Sequence, residues 1–387
     1  MLNDASRNIP QRCQERSGLA MQRSTYLQPA AIFWDRTAQR AIDEADVPVW
    51  RGLPLAGGRL SFAALDILTR GAGGSSRRTV VLGDAFSGDW GRDASAASDL
   101  LEHLTEPRPR LSGLALDRPR IMGIVNVTPD SFSDGGQHAN TRAAIDHALR
   151  LVEEGADILD IGGESTRPGS DAVALKEELS RVIPVIEGLR GKTDRLISVD
   201  TRKAEVMRQA AAVGADILND VSALTHDPDA LGVAAESGLP VMLMHAQGDP
   251  KTMNDDPQYR DVVLDVFDFL EQRIRACEAA GIPRAKIVAD PGIGFGKHLH
   301  HNVAVMAGLS LYHGLGVPIL LGASRKKMIG QLCNVDDAKA RVPGSLACAL
   351  VGAEAGVQIF RVHDVKETKQ ALEVWRACKA GTEKDLG

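Results

Sequence analysis

EEGADILDIG, residues 153–162, closes a helical stretch on a glycine and passes at once into a short apolar run. The same grammar returns as AVGADILND at 212–220, ESGLPVML at 236–243 and EAGVQIF at 354–360. A glycine at a helix C-terminus followed directly by a strand is a short αβ loop. Its repetition predicts stacked strand–helix units. Working outward, β-branched runs alternate with amphipathic stretches as in repeated βαβ units. The predicted strands are Ile121–Val125, Ile158–Ile161, Leu196–Val199, Ile217–Leu218, Val241–Met244, Ile287–Ala289, Ile319–Leu321 and Ile359–Val362. Eight strands over this length favour an α/β fold of the closed (β/α)8 type, a TIM barrel, over an open doubly wound sheet.

Polar residues stand immediately after these strands: Asn126, Asp160, Asp200, Asn219, His245, Asp290, Ser324, Arg361 and His363. One such residue reads as a turn cap. A set spread over all the strands places a pocket on the C-terminal rim of the barrel, where active sites sit in this fold.

The segment NVTPDSFSDGG, 126–136, brings Asn126, Asp130 and Asp134. By itself it reads as an Asx-turn loop. Its oxygen ligands also suit Mg2+, which keeps waters and takes substrate phosphate oxygens. DIGGESTRPGS, 160–170, offers paired glycines for close backbone approach, with Thr166, Arg167 and Pro168 beside them. Asp200 and Asn219 pair a carboxylate with an amide, a set able to read the donor and acceptor edge of a fused heterocycle. DPGIGFGK, 290–297, carries Asp290, Phe295 and Lys297 but is not a Walker A loop, because its spacing is GxGxGK and no Ser or Thr follows the lysine. His298, His300 and His301 in KHLHHN read as a solvated surface patch. GASRKKMIG, 322–330, groups Arg325, Lys326 and Lys327, while Arg361 and His363 share one face of the last strand. Basic groups after strands seven and eight stand where many such barrels hold phosphate. An ion pair between Arg361 and Asp364 is the structural alternative.

The chain has 387 residues, more than one barrel needs, with 45 basic and 51 acidic side chains and a net charge of −6. That mild acidity argues against nucleic acid or an anionic membrane as the main partner. Five cysteines with no CxxC suit a reducing, cytoplasmic setting. No apolar run is long enough to span a bilayer. Arg7, Arg12, Arg16 and Arg23 resemble a transit peptide in charge, but Asp4 and Glu15 do not. The expected division is an extension over 1–115, small and either α/β or irregular, and a barrel over 116–387. Within the extension the first 30 residues read as irregular. GGRLSFAALDILTRG (57–71) reads as a short strand and a helix, RTVVLGDAF (78–86) as a buried strand and turn, and EPRPRLSG (106–113) as a linker.

Taken in order, MGIVNVTPDSFSDGG, DIGGESTRPG, MHAQGDPKTM, DPGIGFGK, GASRKKMIG and RVHDVKET resemble the dihydropteroate synthase family from about Arg120 to Ala377. The resemblance implies condensation of 6-hydroxymethyl-7,8-dihydropterin diphosphate with 4-aminobenzoate, inhibition by sulfonamides, and a homodimer. It implies that Asp200, Asn219, Asp290 and Lys326 grip the pterin. Asn126, Thr166, Arg361 and His363 hold diphosphate, with Asn126 and Asp134 on Mg2+. Thr166, Arg167, Pro168 and Phe295 enclose the aminobenzoate. Asp200, Lys326, Arg361 and His363 carry the catalysis. Lys327 stands where relatives often carry Ser, which suggests that Lys327, or the helix N-terminus at which it sits, pairs with the aminobenzoate carboxylate. Ile293 replaces an aromatic found in some relatives. A corrinoid-linked methyltransferase with the same pterin grip, or a catalytically silent pterin-binding scaffold, would not need the STRPG, SRK and RVHDV segments together. The first 115 residues match nothing in the family.

Overall fold

The computed structural model describes residues 23–34, 52–71, 74–81, 94–127, 136–165, 170, 172–248, 253 and 255–382. An antiparallel sheet comes first: β1 (Thr25–Trp34), β2 (Leu53–Pro54), β3 (Leu60–Gly71) and β4 (Gly74–Val81), followed by helix α1 (Ala94–Thr105). The barrel then runs β5 (Arg120–Asn126), α2 (Gly136–Glu154), β6 (Ile158–Gly162), α3 (Leu175–Leu189), β7 (Leu196–Asp200), α4 (Ala204–Ala212), β8 (Ile217–Asp220), α5 (Ala230–Ser237), β9 (Val241–Met244), α6 (Val262–Ala279), β10 (Ile287–Asp290), α7 (Leu299–Ala307), β11 (Leu320–Leu321), α8 (Lys327–Cys333), α9 (Val342–Glu354), β12 (Ile359–Val362) and α10 (Val365–Ala380).

Eight parallel strands lie in the order β10-β9-β8-β7-β6-β5-β12-β11. A parallel bridge from Ala289 to Ile319 joins the two ends, so the sheet closes on itself. The expected strands are all present, five of them longer by one or two residues and the seventh reduced to Leu320–Leu321. They are apolar without alternation because a parallel strand ringed by helices is buried on both faces; all four residues of VMLM in β9 are buried.

The interior of the barrel's N-terminal end is a separate apolar layer of Met122, Ile158, Ile217, Met242, Val288, Leu320 and Ile359, closed by Leu111 and Leu116. The expected linker is therefore a plug. Its Leu111 and Leu114 backbones pair with each other, and Arg108 Nη2 donates to His313 O at 2.9 Å.

The extension departs from expectation in three ways. Residues 25–30 are strand, not irregular, and pair with β3 in a register running from Thr25↔Thr69 to Trp34↔Leu60. GGRLSFAALDILTRG holds one twelve-residue strand and no helix, because β3 is paired along both edges and satisfies its backbone there. β4 is a strand but a mostly exposed one; it pairs with β3, and only its Val80 packs against the core. Tyr26 and Phe62 continue the barrel's hydrophobic core into this sheet, and the Tyr26 ring meets Phe267 of α6 edge-on at 5.5 Å.

Candidate active site

Asp160 leaves the barrel wall of β6, Asp200 that of β7, Asn219 that of β8 and Arg361 that of β12, and the four meet in one buried ring. Arg361 Nε donates to Asp160 Oδ2 at 2.6 Å, and its Nη2 donates to Asp200 Oδ2, also at 2.6 Å. Asn219 Nδ2 donates to the two Asp160 oxygens at 3.2 and 3.3 Å. Asp160 is fully buried, which is tolerable for a carboxylate only with partners of this kind. The alternative pairing of Arg361 with Asp364 is not formed: Arg325 takes Asp364, with Nε to Oδ2 at 3.0 Å.

Beside this ring opens a cavity lined by Asn219, Val221, Met244, Asp290, Ile293, Phe295, Gly322, Lys326 and Arg361. Lys326 Nζ lies 4.0 Å from the centroid of the Phe295 ring. Asp290 Oδ1 accepts from Gly292 N at 2.7 Å. Burial pushes the Asp290 carboxyl up to about 6, against the pull of that amide and of Lys326. Burial likewise raises Asp200 to about 7, with Asp160 adding to the rise and Arg361 opposing it. Burial works to lower the Arg361 pKa, but the two carboxylates outweigh it and hold the guanidinium firmly charged. At the mouth, Ser324 Oγ lies 3.1 Å from His363 Nδ1 and accepts from His363 N at 3.2 Å. Asn126 ends β5, half-buried, on the strand that pairs with the Arg361-bearing β12.

The structure thus gathers Asn219, Asp290, Phe295, Lys326 and Arg361 at one cavity, with Asp200 bonded to Arg361 behind it and His363 and Asn126 on the same rim. Lys327 opens α8 as an exposed residue and does not line the cavity. Asp134, Thr166, Arg167 and Pro168 lie outside the described residues. The three histidines after Lys297 do form a surface group, with ring centroids 3.9–5.9 Å apart, and no set of three or more metal-ligating side chains occurs among the described residues. Asp220, next to Asn219, caps a turn by accepting from Ser222 N and Leu224 N.

Residue-by-residue reading gave no role to Asp160 or Lys297. Asp160 had a signal: a carboxylate inside the apolar strand ILDIG. Lys297 is 4 % exposed. Its Nζ reaches His245 Nδ1 at 2.8 Å, Gly292 O at 2.9 Å and Phe295 O at 3.2 Å, so it ties the glycine loop to the end of β9. Burial pushes its ammonium down to about 7. Gly292, at φ +70°, has room for no side chain: a Cβ there would sit 1.9 Å from His245 O. A charged network follows β6, where Glu164 takes Arg202 at 3.1 Å and Lys203 at 2.7 Å.

The sequence model of the family described as "Pterin binding enzyme" matches residues 122–363. The chain is 51% identical over 272 residues to the dihydropteroate synthase of Escherichia coli (strain K12), covering 70% of this chain and 96% of that protein. It is 50% identical over 269 residues to that of Neisseria meningitidis serogroup B, covering 68% and 94%. Among solved structures, the Xanthomonas albilineans dihydropteroate synthase with 4-aminobenzoic acid superposes with a TM-score of 0.67 at 54% identity, over 70% of this chain and 99% of that one. The Yersinia pestis enzyme in complex with a sulfonamide drug gives 0.66 at 50% identity, over 69% and 96%. With the barrel, the buried Asp–Arg–Asp–Asn ring and these likenesses together, the chain belongs to the dihydropteroate synthase family of pterin-binding transferases in folate biosynthesis.

Proposed function

We propose that the chain joins 6-hydroxymethyl-7,8-dihydropterin diphosphate to 4-aminobenzoate, and that the cavity beside the Asp160–Arg361–Asp200–Asn219 ring holds the pterin. That ring carries the reading. Asp200, Asp290 and the Asn219 amide oxygen present acceptors, while Lys326 presents a donor, which complements the mixed edge of a pterin. Arg361 and His363, with Asn126 and Thr166, take the diphosphate. Asn126 and Asp134 offer the one or two oxygens that Mg2+ needs when phosphate oxygens and waters complete its shell; the half-buried Asn126 beside β12 suits that place. When bound, the ion supplies positive charge to the diphosphate.

The bond from the pterin methylene to the diphosphate oxygen breaks with its electron pair on the departing oxygen. Arg361 and His363 face the charge that develops there, and each such preorganised group contributes about 2–4 kcal/mol. Asp200 stabilises the cation left on the pterin. The arylamine lone pair then forms the C–N bond and its proton passes to water. Because that nitrogen is already neutral, no strong general base is needed. Thr166, Arg167, Pro168 and Phe295 enclose the aminobenzoate. The Lys326 ammonium over Phe295 joins the two subsites.

The test is product formation from the pterin diphosphate, 4-aminobenzoate and Mg2+. Tight pterin binding without dihydropteroate defeats the catalytic reading and leaves a binding scaffold. Sulfonamides should compete with 4-aminobenzoate; purely noncompetitive inhibition removes Phe295 and its neighbours from the aminobenzoate subsite. EDTA should abolish turnover and Mg2+ restore it. The same proposal includes a homodimer working in the cytoplasm. Exposed Leu332, Val351 and Val374 on α8, α9 and α10 support the former, and light scattering measures it.

A further inference from the structure

The extension's backbone packs chiefly on the 309–315 helical turn that follows α7, while its charged and polar side chains reach the barrel helices α6 and α7. These flank the glycine loop 292–297. Arg70 of β3 donates from Nη1 to Asp265 Oδ1 at 2.8 Å and from Nη2 to Asp268 Oδ2 at 3.0 Å. Ser75, near the β3–β4 turn, donates to Asp261 Oδ2 at 2.7 Å. Gln28 Nε2 donates to Ala307 O, the last residue of α7, at 3.4 Å, and Ser310 Oγ donates to Pro29 O at 3.0 Å.

The two aspartates at the start of α6 each work in two directions. Asp261 is the N-cap, with Oδ1 accepting from Val263 N and Leu264 N, while Oδ2 takes Ser75. Asp265 gives Oδ2 to Arg260 N and Asp261 N, while Oδ1 takes Arg70. A carboxylate in a first helical turn is already favoured by the helix dipole. What Arg70 adds is position. The Arg70 side chain is 12% exposed and spans two carboxylates, a geometry firmer than a single surface pair.

One residue before this turn, Tyr259 donates its hydroxyl to Gly296 O at 2.7 Å. Gly296 follows Phe295, whose ring carries Lys326 at the cavity wall. An unbroken series of contacts thus runs from the extension to the substrate rim, with Arg70 and Ser75 at one end and Phe295 at the other.

We propose that the N-terminal sheet is a brace for the active-site rim, with Arg70 and Ser75 as positioning residues that hold the α6 start and, through Tyr259, the Phe295 loop. This rests on the reading that aminobenzoate lies against Phe295. The test uses the full chain with Arg70→Met, Ser75→Ala, Tyr259→Phe and Phe295→Ala, assayed well below their melting midpoints. Arg70→Met should raise KM for 4-aminobenzoate about fivefold, the lower end of coupling between sites, with a smaller effect on kcat. Arg70→Met combined with Tyr259→Phe should be no worse than the worse single change, as expected for residues acting in series. Hydrogen exchange over 292–297 should quicken in Arg70→Met and, more weakly, in Ser75→Ala, whose exposed serine can be lost without unfolding the chain. A lowered Tm with unchanged KM and unchanged exchange overturns the brace and leaves the sheet a stabiliser only. If Phe295→Ala itself leaves KM for 4-aminobenzoate unchanged, the subsite reading fails; exchange over 292–297 then decides the brace alone.

Discussion

Asp160→Asn isolates the part of the site that sequence reasoning left without a role. In the native ring Asp160 and Asp200 share the single guanidinium of Arg361, each at 2.6 Å. The substitution removes one of the two charges. It also turns one acceptor oxygen into an NH2 group, which, with the carbonyl oxygen kept toward Arg361 Nε, faces Asn219 Nδ2 donor to donor. A hydrogen bond to a charged group is worth about 1.5–3 kcal/mol. Arg361 then leans wholly on Asp200, the carboxylate proposed to accept from the pterin. At 1.4 kcal/mol per tenfold, KM for the pterin diphosphate should rise about 10- to 100-fold, with KM for 4-aminobenzoate little changed. A second effect has the opposite sign. Asp160 helps raise Asp200 to about 7, so its neutralisation lowers that value. In the proposed reaction Asp200 must be ionised to stabilise the pterin cation. The kcat/KM of the wild type should therefore climb as pH rises through about 7. The limb of Asp160→Asn should lie at lower pH. Steady-state diphosphate release measured from acid to neutral pH reads both. An unchanged pterin KM together with an unmoved limb refutes the sharing of Arg361.

Three further outcomes follow from the packing. Gly292→Ala forces the glycine loop off His245 O, and a displacement of about 1 Å at a rim of this kind costs on the order of a hundredfold in kcat/KM; near-native activity would mean that the loop is not held there. Lys297→Met leaves His245 Nδ1 and Phe295 O without their buried donor, at about 1–3 kcal/mol, so thermal unfolding should move down by several degrees, and an unchanged Tm would show that the amine's burial cost cancels its bonds. Leu111→Ala empties part of the plug under the barrel and should cost about 2–5 kcal/mol of stability while leaving both KM values unchanged; an altered KM would show that the two ends of the barrel are coupled.

The barrel was legible because its signals are local. A short apolar run with a polar residue at its end recurs at each unit, several of them preceded by a glycine, and period and loop length suffice to read them. The rim residues Asp200, Asn219, Asp290 and Arg361 were legible for the same reason, since a parallel strand delivers whatever follows it to one face. The extension was not. β3 read as a strand and a helix because its apolar pattern is buried on both sides, and only pairing with β1, β2 and β4 separates the two. EPRPRLSG read as a spacer, since nothing local reveals that Leu111 fills the end of a barrel built from residues far along the chain.

Sequence by itself determined the closed α/β architecture, the rim on which chemistry sits and, through ordered motifs, the family. Only the tertiary structure decided the partners. Arg361 serves Asp160 and Asp200, not Asp364, because β6, β7 and β12 converge inside the barrel while Arg325 reaches Asp364 first. Lys297 is a buried clamp because the loop folds over it. Long-range pairing of charges depends on which strand ends meet in space, and spacing along a chain does not carry that information.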